Sequence, residues 1–313
     1  MAHKKIKVLF YSTADWANSS YRMCEAINRH STRYEITYFA NFQHDFGYYR
    51  GENIISDIIG DQQYINHDVL DHLRTAAAEA DMFHFKEDEG TPAGVLDVRF
   101  DLTRPVIQQF CGSVYRKDWQ KIWPECENVV NRVLVTTPDL IMPGVGGTVL
   151  PFAFDETIYK PIERDDSCIF IGHTPSNPRK KGTEIITEVC TQLHTEFPRA
   201  VLNFVSGVLS DAALRYKSLN DIYIDQISDI GTYGNSAVEA MMFGSAVLCS
   251  MSHDRCGVVS VTAESLHDIL AQLITDPDYL RQQQKLAYDR FLRLHSYPAV
   301  CAAVEKIYDE VLQ

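Results

Sequence analysis

The sequence predicts an α/β protein built as two parallel-sheet halves, and three observations predict it. Short apolar runs of strand length alternate with helical stretches along the whole chain, which is the pattern of a parallel sheet covered on both faces. The alternation breaks at a polar, proline-bearing stretch, Asp155 to Asp166 (DETIYKPIERDD), and starts afresh at the apolar run Cys168 to Ile171. At 313 residues the chain also exceeds the usual single-domain length, so each half can bury a core of its own.

The first half opens with Ile6 to Tyr11 (IKVLFY), a strand closed by the polar loop STADWANSS. Tyr21, Met23, Cys24, Ala26 and Ile27 follow at helical spacing. Glu35 to Phe39 reads as the next strand, and the Tyr- and Gly-containing stretch from Asn41 to Gly51 as an excursion loop. Leu70 to Ala80 is helical, Asp81 to Phe85 (DMFHF) and Pro105 to Phe110 (PVIQQF) are strands, and Val133 to Thr136 adds another before Thr148 to Pro151 leads into the linker. In the second half, helices over Gly182 to Leu193, Ala212 to Leu219 and Ala237 to Phe243 alternate with strands over Val201 to Val205, Ile222 to Asp225 and Ala246 to Cys249. An amphipathic helix, Ala299 to Leu312, ends the chain.

A formal charge of −13 repels polyanions, so a broad electrostatic grip on nucleic acid or an anionic bilayer is not expected. The eight cysteines form no CxxC pair and no signal-peptide pattern precedes the first strand, which reads as reduced, mostly core thiols in a cytoplasmic protein. No apolar run approaches the roughly 18 residues of a membrane span.

The strongest local signal is GHTPSNPRKKGTEII, in which a strand ending at His173 gives way to a loop bearing Arg179, Lys180 and Lys181, and a helix opens near Gly182. Basic side chains at a helix N-terminus make an anion site, because unpaired N–H groups and the macrodipole add to the formal charges. A solvated basic turn is the plainer alternative. The second signal is DIYIDQISDIGTYGNSAVEAMMFGSAVLCS. There Gly231 and Gly234 allow close backbone approach, a helix opens near Asn235, and Glu239 lies one turn inside an otherwise apolar stretch, where a buried carboxylate needs a partner. A ribose hydroxyl pair would serve. Two such loops in one half describe a nucleotide site at the carboxyl ends of a parallel sheet.

These two segments, with QQFCGSVYR, LVTTPDL and the tail FLRLHSYPAVCAAVEKIYDEVL, resemble the retaining GT-B glycosyltransferases, the group that includes sucrose synthase-like and phosphatidylinositol mannosyltransferase-like enzymes. The resemblance implies two Rossmann-like domains facing each other across a cleft, with a C-terminal helix crossing back to the first. Residues 1–154 plus 295–313 would form the acceptor-side domain and 155–294 the nucleotide-sugar domain. It also implies that Arg179 and Lys181 hold the donor diphosphate and Glu239 the donor ribose. His173, Asp225, Gln226, Tyr233, Gly234, Asn235 and Ser236 would line the donor site, the last four through loop backbone N–H groups. The implied reaction is transfer from a nucleotide sugar, with a UDP-sugar the expected donor, to an acceptor hydroxyl without a metal or other cofactor. The acceptor stays open among a saccharide, a small metabolite, a lipid and a modified nucleic-acid base.

Two positions depart from the family pattern. Gly231 stands where the first of the family's two glutamates would fall, and Asp225 and Gln226 are the candidates to replace it. Cys111 precedes Gly112 where the family often has histidine. A degenerate, non-catalytic sugar-nucleotide-binding protein of the same fold is therefore the alternative. In the first half, Ser19, Gly112 and Arg116 are the possible acceptor residues; N-cap duty competes for Asn18, Ser19 and Ser20, and a surface salt bridge competes for Arg116. His84 reads as a core histidine. No metal motif stands out: the acidic triplet Glu87 to Glu89 reads as a solvated loop, and the first loop has no glycine for a dinucleotide fingerprint.

Overall fold

The structure is a computed structural model that describes residues 4–42, 48, 52–59, 62–87, 89–158, 160–162, 167–251 and 257–313. The chain divides into two compact units, unit 1 comprising residues 1–153 and 297–313 and unit 2 residues 154–296. Most of the stretch read as an excursion loop lies outside the described residues, as do Asp88, Cys256 and residues 163–166 of the linker. The seven described cysteines are all free, and six of them are buried.

Unit 1 begins with β1 (Ile6–Ala14), α1 (Ser19–His30) and β2 (Tyr34–Phe42). Short strands β3 (Glu52–Asn53), β4 (Ile55–Ile59) and β5 (Gln62–Ile65) precede α2 (His67–Glu79) and β6 (Met82–Glu87). A small hairpin, β7 (Gly94–Val95) with β8 (Val98–Arg99), leads to β9 (Val106–Phe110), α3 (Gly112–Cys126), β10 (Arg132–Val135) and β11 (Thr148–Val149). Seven strands form one parallel sheet in the order β11-β10-β9-β6-β1-β2-β3. All six residues of β6 are buried, as expected for a central strand with both faces covered.

Unit 2 runs β12 (Ile169–His173), α4 (Thr183–Glu196), β13 (Ala200–Phe204), α5 (Ser210–Ser218), β14 (Ile222–Gln226), α6 (Asn235–Met242), β15 (Ala246–Cys249) and β16 (Val259–Ser260). Helices α7 (Leu266–Thr275) and α8 (Pro277–Leu294) complete it, and its parallel sheet has the order β13-β12-β14-β15-β16. The final helix, α9 (Tyr297–Val311), belongs to unit 1. It puts Val300, Val304, Ile307 and Tyr308 into the core beside α1, each burial contributing about 1.5–3 kcal/mol for a side chain of this size. Tyr297 donates to Glu25 (2.7 Å) and Ser31 to Glu305 (2.6 Å), which fixes its register.

The two sheets share a topology. In unit 1 the chain passes from β1 to β2 on one side and later to β6 on the other, and in unit 2 from β12 to β13 and then to β14. Each sheet therefore has a switch point, where loops leave the strand ends in opposite directions and open a crevice.

Candidate active site

At the switch point of unit 2 the loop after β12 meets the loop after β14. Gly182 takes φ 70° at the start of α4, and a Cβ there would lie 2.5 Å from the carbonyl oxygen of Ile227. Only glycine allows both that backbone and that approach. The amide of Ile227 in turn donates to the Lys181 carbonyl at 3.1 Å, so the basic loop is stitched to the exit of β14.

This stitching places the Lys181 ammonium 2.9 Å from Asp225 Oδ1, and Asp225 Oδ2 accepts the Gly234 N–H at 2.8 Å. Burial works against the charge of Lys181, but Asp225 beside it outweighs burial and holds the group above the usual lysine range. One carboxylate thus joins the strand end, the basic loop and the turn into α6. Within that turn Ser228 Oγ and Asn235 Oδ1 are buried and have no hydrogen-bond partner among the described residues, a condition a ligand hydroxyl or amide would relieve.

Of the donor-side residues predicted from sequence, the structure brings Lys181, Asp225, Gly234 and Asn235 together and gives the others different work. His173 is corrected: it is fully buried, its Nδ1–H donates to the Ile224 carbonyl (2.8 Å) and its Nε2 accepts from Thr183 (2.9 Å). Burial lowers its pKa, so it is a neutral brace under the loop. Asp225 is corrected as the replacement for the missing glutamate, because both its oxygens are engaged and it is 2% exposed. Gln226 is likewise turned inward, donating to the Thr232 carbonyl. The Tyr233 hydroxyl accepts from Arg290 Nε (3.1 Å) and donates to His295 Nε2 (3.1 Å), which ties the turn to α8. Arg179 stands exposed on the loop, two residues from Lys181, and Ser236 lies near Tyr223 at the opening of α6.

Glu239 is buried one turn inside α6, and its carboxylate meets the Lys217 ammonium of α5 at 2.5 Å. The partner required by a buried charge is therefore at least in part a protein one. Lys217 was missed in the sequence, although it follows Leu214 by three residues and so shares its apolar helix face, a signal that marks a lysine turned inward.

In unit 1 the helix start at α1 is capped by neither Asn18 nor the serines. Asp15 accepts from the amides of Ser20 (2.8 Å) and Tyr21 (2.9 Å), while Asn18 is left-handed at φ 56° and makes no cap bond. Ser19 accepts a hydrogen bond from Lys86 at the end of β6, a partner the sequence reading did not single out. Gly112 opens α3 with φ 77°, and Arg116 pairs with Asp139 at 2.6 Å, so the salt bridge is the role the structure gives Arg116. His84 is a core histidine: its Nδ1 meets the Tyr308 hydroxyl at 2.9 Å and burial pushes its pKa down to about 3. The acidic triplet is corrected at its first residue, since Glu87 is buried and accepts from the Thr13 backbone and hydroxyl. Among the described residues no group of three or more His, Cys, Asp or Glu is placed to hold a metal ion, and no helix is long and apolar enough to cross a membrane.

Two Rossmann-like units and a helix that returns to the first unit give the chain the architecture of the GT-B fold. No protein-family model and no curated protein matches the sequence. Among solved structures the chain is similar to HepE of Anabaena in complex with UDP-glucose, at 12% identity and a TM-score of 0.64, over 97% of this chain and 100% of that one. It is also similar to an alpha-glucosyltransferase in complex with UDP and a 13-mer DNA containing an HMU base, at 9% identity and TM-score 0.64, over 99% and 100% of the two chains. A glycosyltransferase from Rickettsia africae aligns at 10% identity and TM-score 0.60, over 99% and 100%.

Proposed function

We propose that the chain is a retaining, metal-independent glycosyltransferase that takes its sugar from a UDP-sugar bound by unit 2. The observation that carries this reading is the junction at the switch point. There a fixed ammonium, the start of α4 and the turn into α6 meet beside two buried polar atoms without partners among the described residues. The likeness in fold to a protein solved with UDP-glucose supports it.

In this mechanism the diphosphate oxygens lie against Lys181, Arg179 and the amides that open α4 and α6, and they carry the charge that develops as the glycosidic bond breaks. Lys181 keeps two N–H donors for the leaving group after its bond to Asp225. Asp225 contributes position: it holds Lys181 and the Gly234 amide at one point, so no side-chain reorganisation is needed as charge develops. Glu239, held by Lys217, presents its carboxylate to the ribose hydroxyls. The acceptor hydroxyl attacks from the face the diphosphate leaves and passes its proton to the departing diphosphate oxygen, which retains anomeric configuration and needs no protein nucleophile.

The second reading, a non-catalytic binding protein, is favoured by Gly231 and by the engagement of both Asp225 oxygens. Thermal-shift titration with UDP-, GDP- and ADP-sugars, coupled to a donor-hydrolysis assay, tests both. The expected result is stabilisation by UDP-glucose or another UDP-sugar, lost in Lys181→Ala and weakened in Glu239→Gln, with slow hydrolysis. Stabilisation without hydrolysis or transfer to any acceptor leaves the second reading, and no stabilisation at millimolar nucleotide sugar sinks both.

A further inference from the structure

We propose that the switch point of unit 1 binds an oxyanion, a phosphate or carboxylate carried on the acceptor, through Lys86, Ser19 and Ser20; the acceptor part of this claim rests on the transferase reading above. Lys86 is the penultimate residue of β6 and only 5% exposed. Its ammonium donates to Ser19 Oγ and lies 3.4 Å from Ser20 Oγ, and it forms no ion pair among the described residues. Among the described residues, buried Lys217 has a carboxylate in Glu239 and half-buried Lys181 has one in Asp225. A buried ammonium without a counter-charge carries a desolvation penalty that two neutral hydroxyls do not offset.

Among the described residues, Glu87 and Asp15 are committed elsewhere. Glu87 follows Lys86 on the strand and so belongs to the opposite face, where it binds Thr13. Asp15 places both oxygens on the first amides of α1, the position at which the helix dipole best offsets a negative charge. Two buried amide side chains lie close by in the fold, Gln109 directly across from Lys86 in β9 and Asn18 in the residue before Ser19. An amide of this kind can turn its NH₂ toward a ligand. The group sits between the ends of β1 and β6, where this sheet topology places ligands. An ammonium, two hydroxyls and two amides form a donor set for an oxyanion, and the donor diphosphate is already assigned to unit 2.

The test is made in the Lys181→Ala chain, so that anion binding at the unit 2 junction does not contribute. Inorganic phosphate, methyl phosphate, glucose 6-phosphate and acetate are titrated against chloride of equal ionic strength while the melting temperature is followed. At about ten times the Kd, a rise of roughly 3 °C is expected for at least one of the three organic ions. Adding Lys86→Met is expected to abolish that rise while leaving the melting temperature without ligand unchanged or higher, since an uncompensated charge is removed. Ser19→Ala, which keeps the lysine, is expected to weaken binding about three- to tenfold. An equal rise with and without Lys86 overturns the site, and so does a Ser19→Ala chain that binds as tightly. A rise confined to inorganic phosphate overturns the acceptor-borne assignment. Nucleotide-sugar binding by the unmodified chain is read separately, so failure of the transferase reading and failure of this site are distinguishable.

Discussion

The two switch points share a strand order and differ in where the charges stand. In unit 2 the strand end contributes the carboxylate, Asp225, and the following loop of the neighbouring strand contributes the ammonium, Lys181. In unit 1 the strand end contributes the ammonium, Lys86, and the helix start across from it contributes only hydroxyls. Internal pairing makes the first junction a rigid, pre-formed one, because Asp225 also holds the Gly234 amide. The unpaired arrangement leaves the second with charge still to be matched. The lesson is that a shared topology fixes where a ligand can lie, while the charge of a few strand-end residues fixes what kind of ligand it is.

The largest test of this contrast concerns pairing itself. Glu239→Ala removes the carboxylate that faces the buried Lys217 ammonium and is expected to cost about 3–5 kcal/mol in urea denaturation, whereas Glu239→Leu combined with Lys217→Met is expected to lie within about 1 kcal/mol of the parent. If Glu239→Ala is nearly neutral, a buried lysine in this fold tolerates the loss of its carboxylate, and the argument built on Lys86 weakens with it. Next in size is Lys181→Ala, for which turnover is expected to fall on the order of a hundredfold or more, with donor affinity reduced as well. Steady-state kinetics on a UDP-sugar donor would check it, and a tenfold loss or less would mean that Arg179 and the helix starts carry the diphosphate without Lys181.

The third prediction compares the two buried histidines. His84 has a folded-state pKa of about 3 against an ordinary value of 6.5, because burial excludes the charged form. The unfolded chain therefore binds the proton first, and stability from this residue is complete above about pH 6.5 and declines as pH falls toward 3. At pH 5 the loss is about 2 kcal/mol relative to neutral pH by linkage. His173 is also lowered by burial, but its bond to the Ile224 carbonyl opposes that effect. Substituting His84 by Gln is expected to flatten the acid limb of the stability curve more than His173→Gln does. Equal slopes in the two variants would show that the unit 1 core admits the proton more readily than its burial implies.

Much of the scaffold was legible from the sequence because it depends on local periodicity. The strand Ala246–Cys249 falls where the apolar run places it, and α6 opens at Asn235 as its glycine-bearing loop predicts. The place of Lys181 before a helix start was visible for the same reason, since basic residues before a helix start are neighbours in sequence. Pairings between distant elements were not visible. Nothing near Glu239 announces Lys217, 22 residues earlier, and nothing near Asp225 announces that both oxygens would be engaged by Lys181 and Gly234. His173 looked available because it ends a strand at the site, yet its ring turns under the loop, a choice made by Thr183 and Ile224 together. Lys86 was hidden because Lys86 and Glu87, directly after the strand DMFHF, read as its polar end.

The smallest effect separates the two units by backbone alone. Gly182 in unit 2 and Gly144 in unit 1 both adopt left-handed φ, 70° and 78° respectively, so alanine at either position carries a penalty of about 1–2 kcal/mol for that backbone. The surroundings differ: an added Cβ at Gly144 meets nothing within 4 Å, but at Gly182 it would stand 2.5 Å from the Ile227 carbonyl oxygen. Gly144→Ala is therefore expected to cost the lower figure, about 1 kcal/mol, and to leave ligand binding unchanged. Gly182→Ala must push the basic loop away from β14, so it is expected to cost about 2 kcal/mol and to weaken binding of UDP as well, because the Lys181 ammonium moves with the loop. Urea denaturation and UDP titration of the two variants side by side would show it. If Gly182→Ala loses stability without losing UDP, the position of Lys181 is set by Asp225 alone and the stitching at Ile227 serves only the fold.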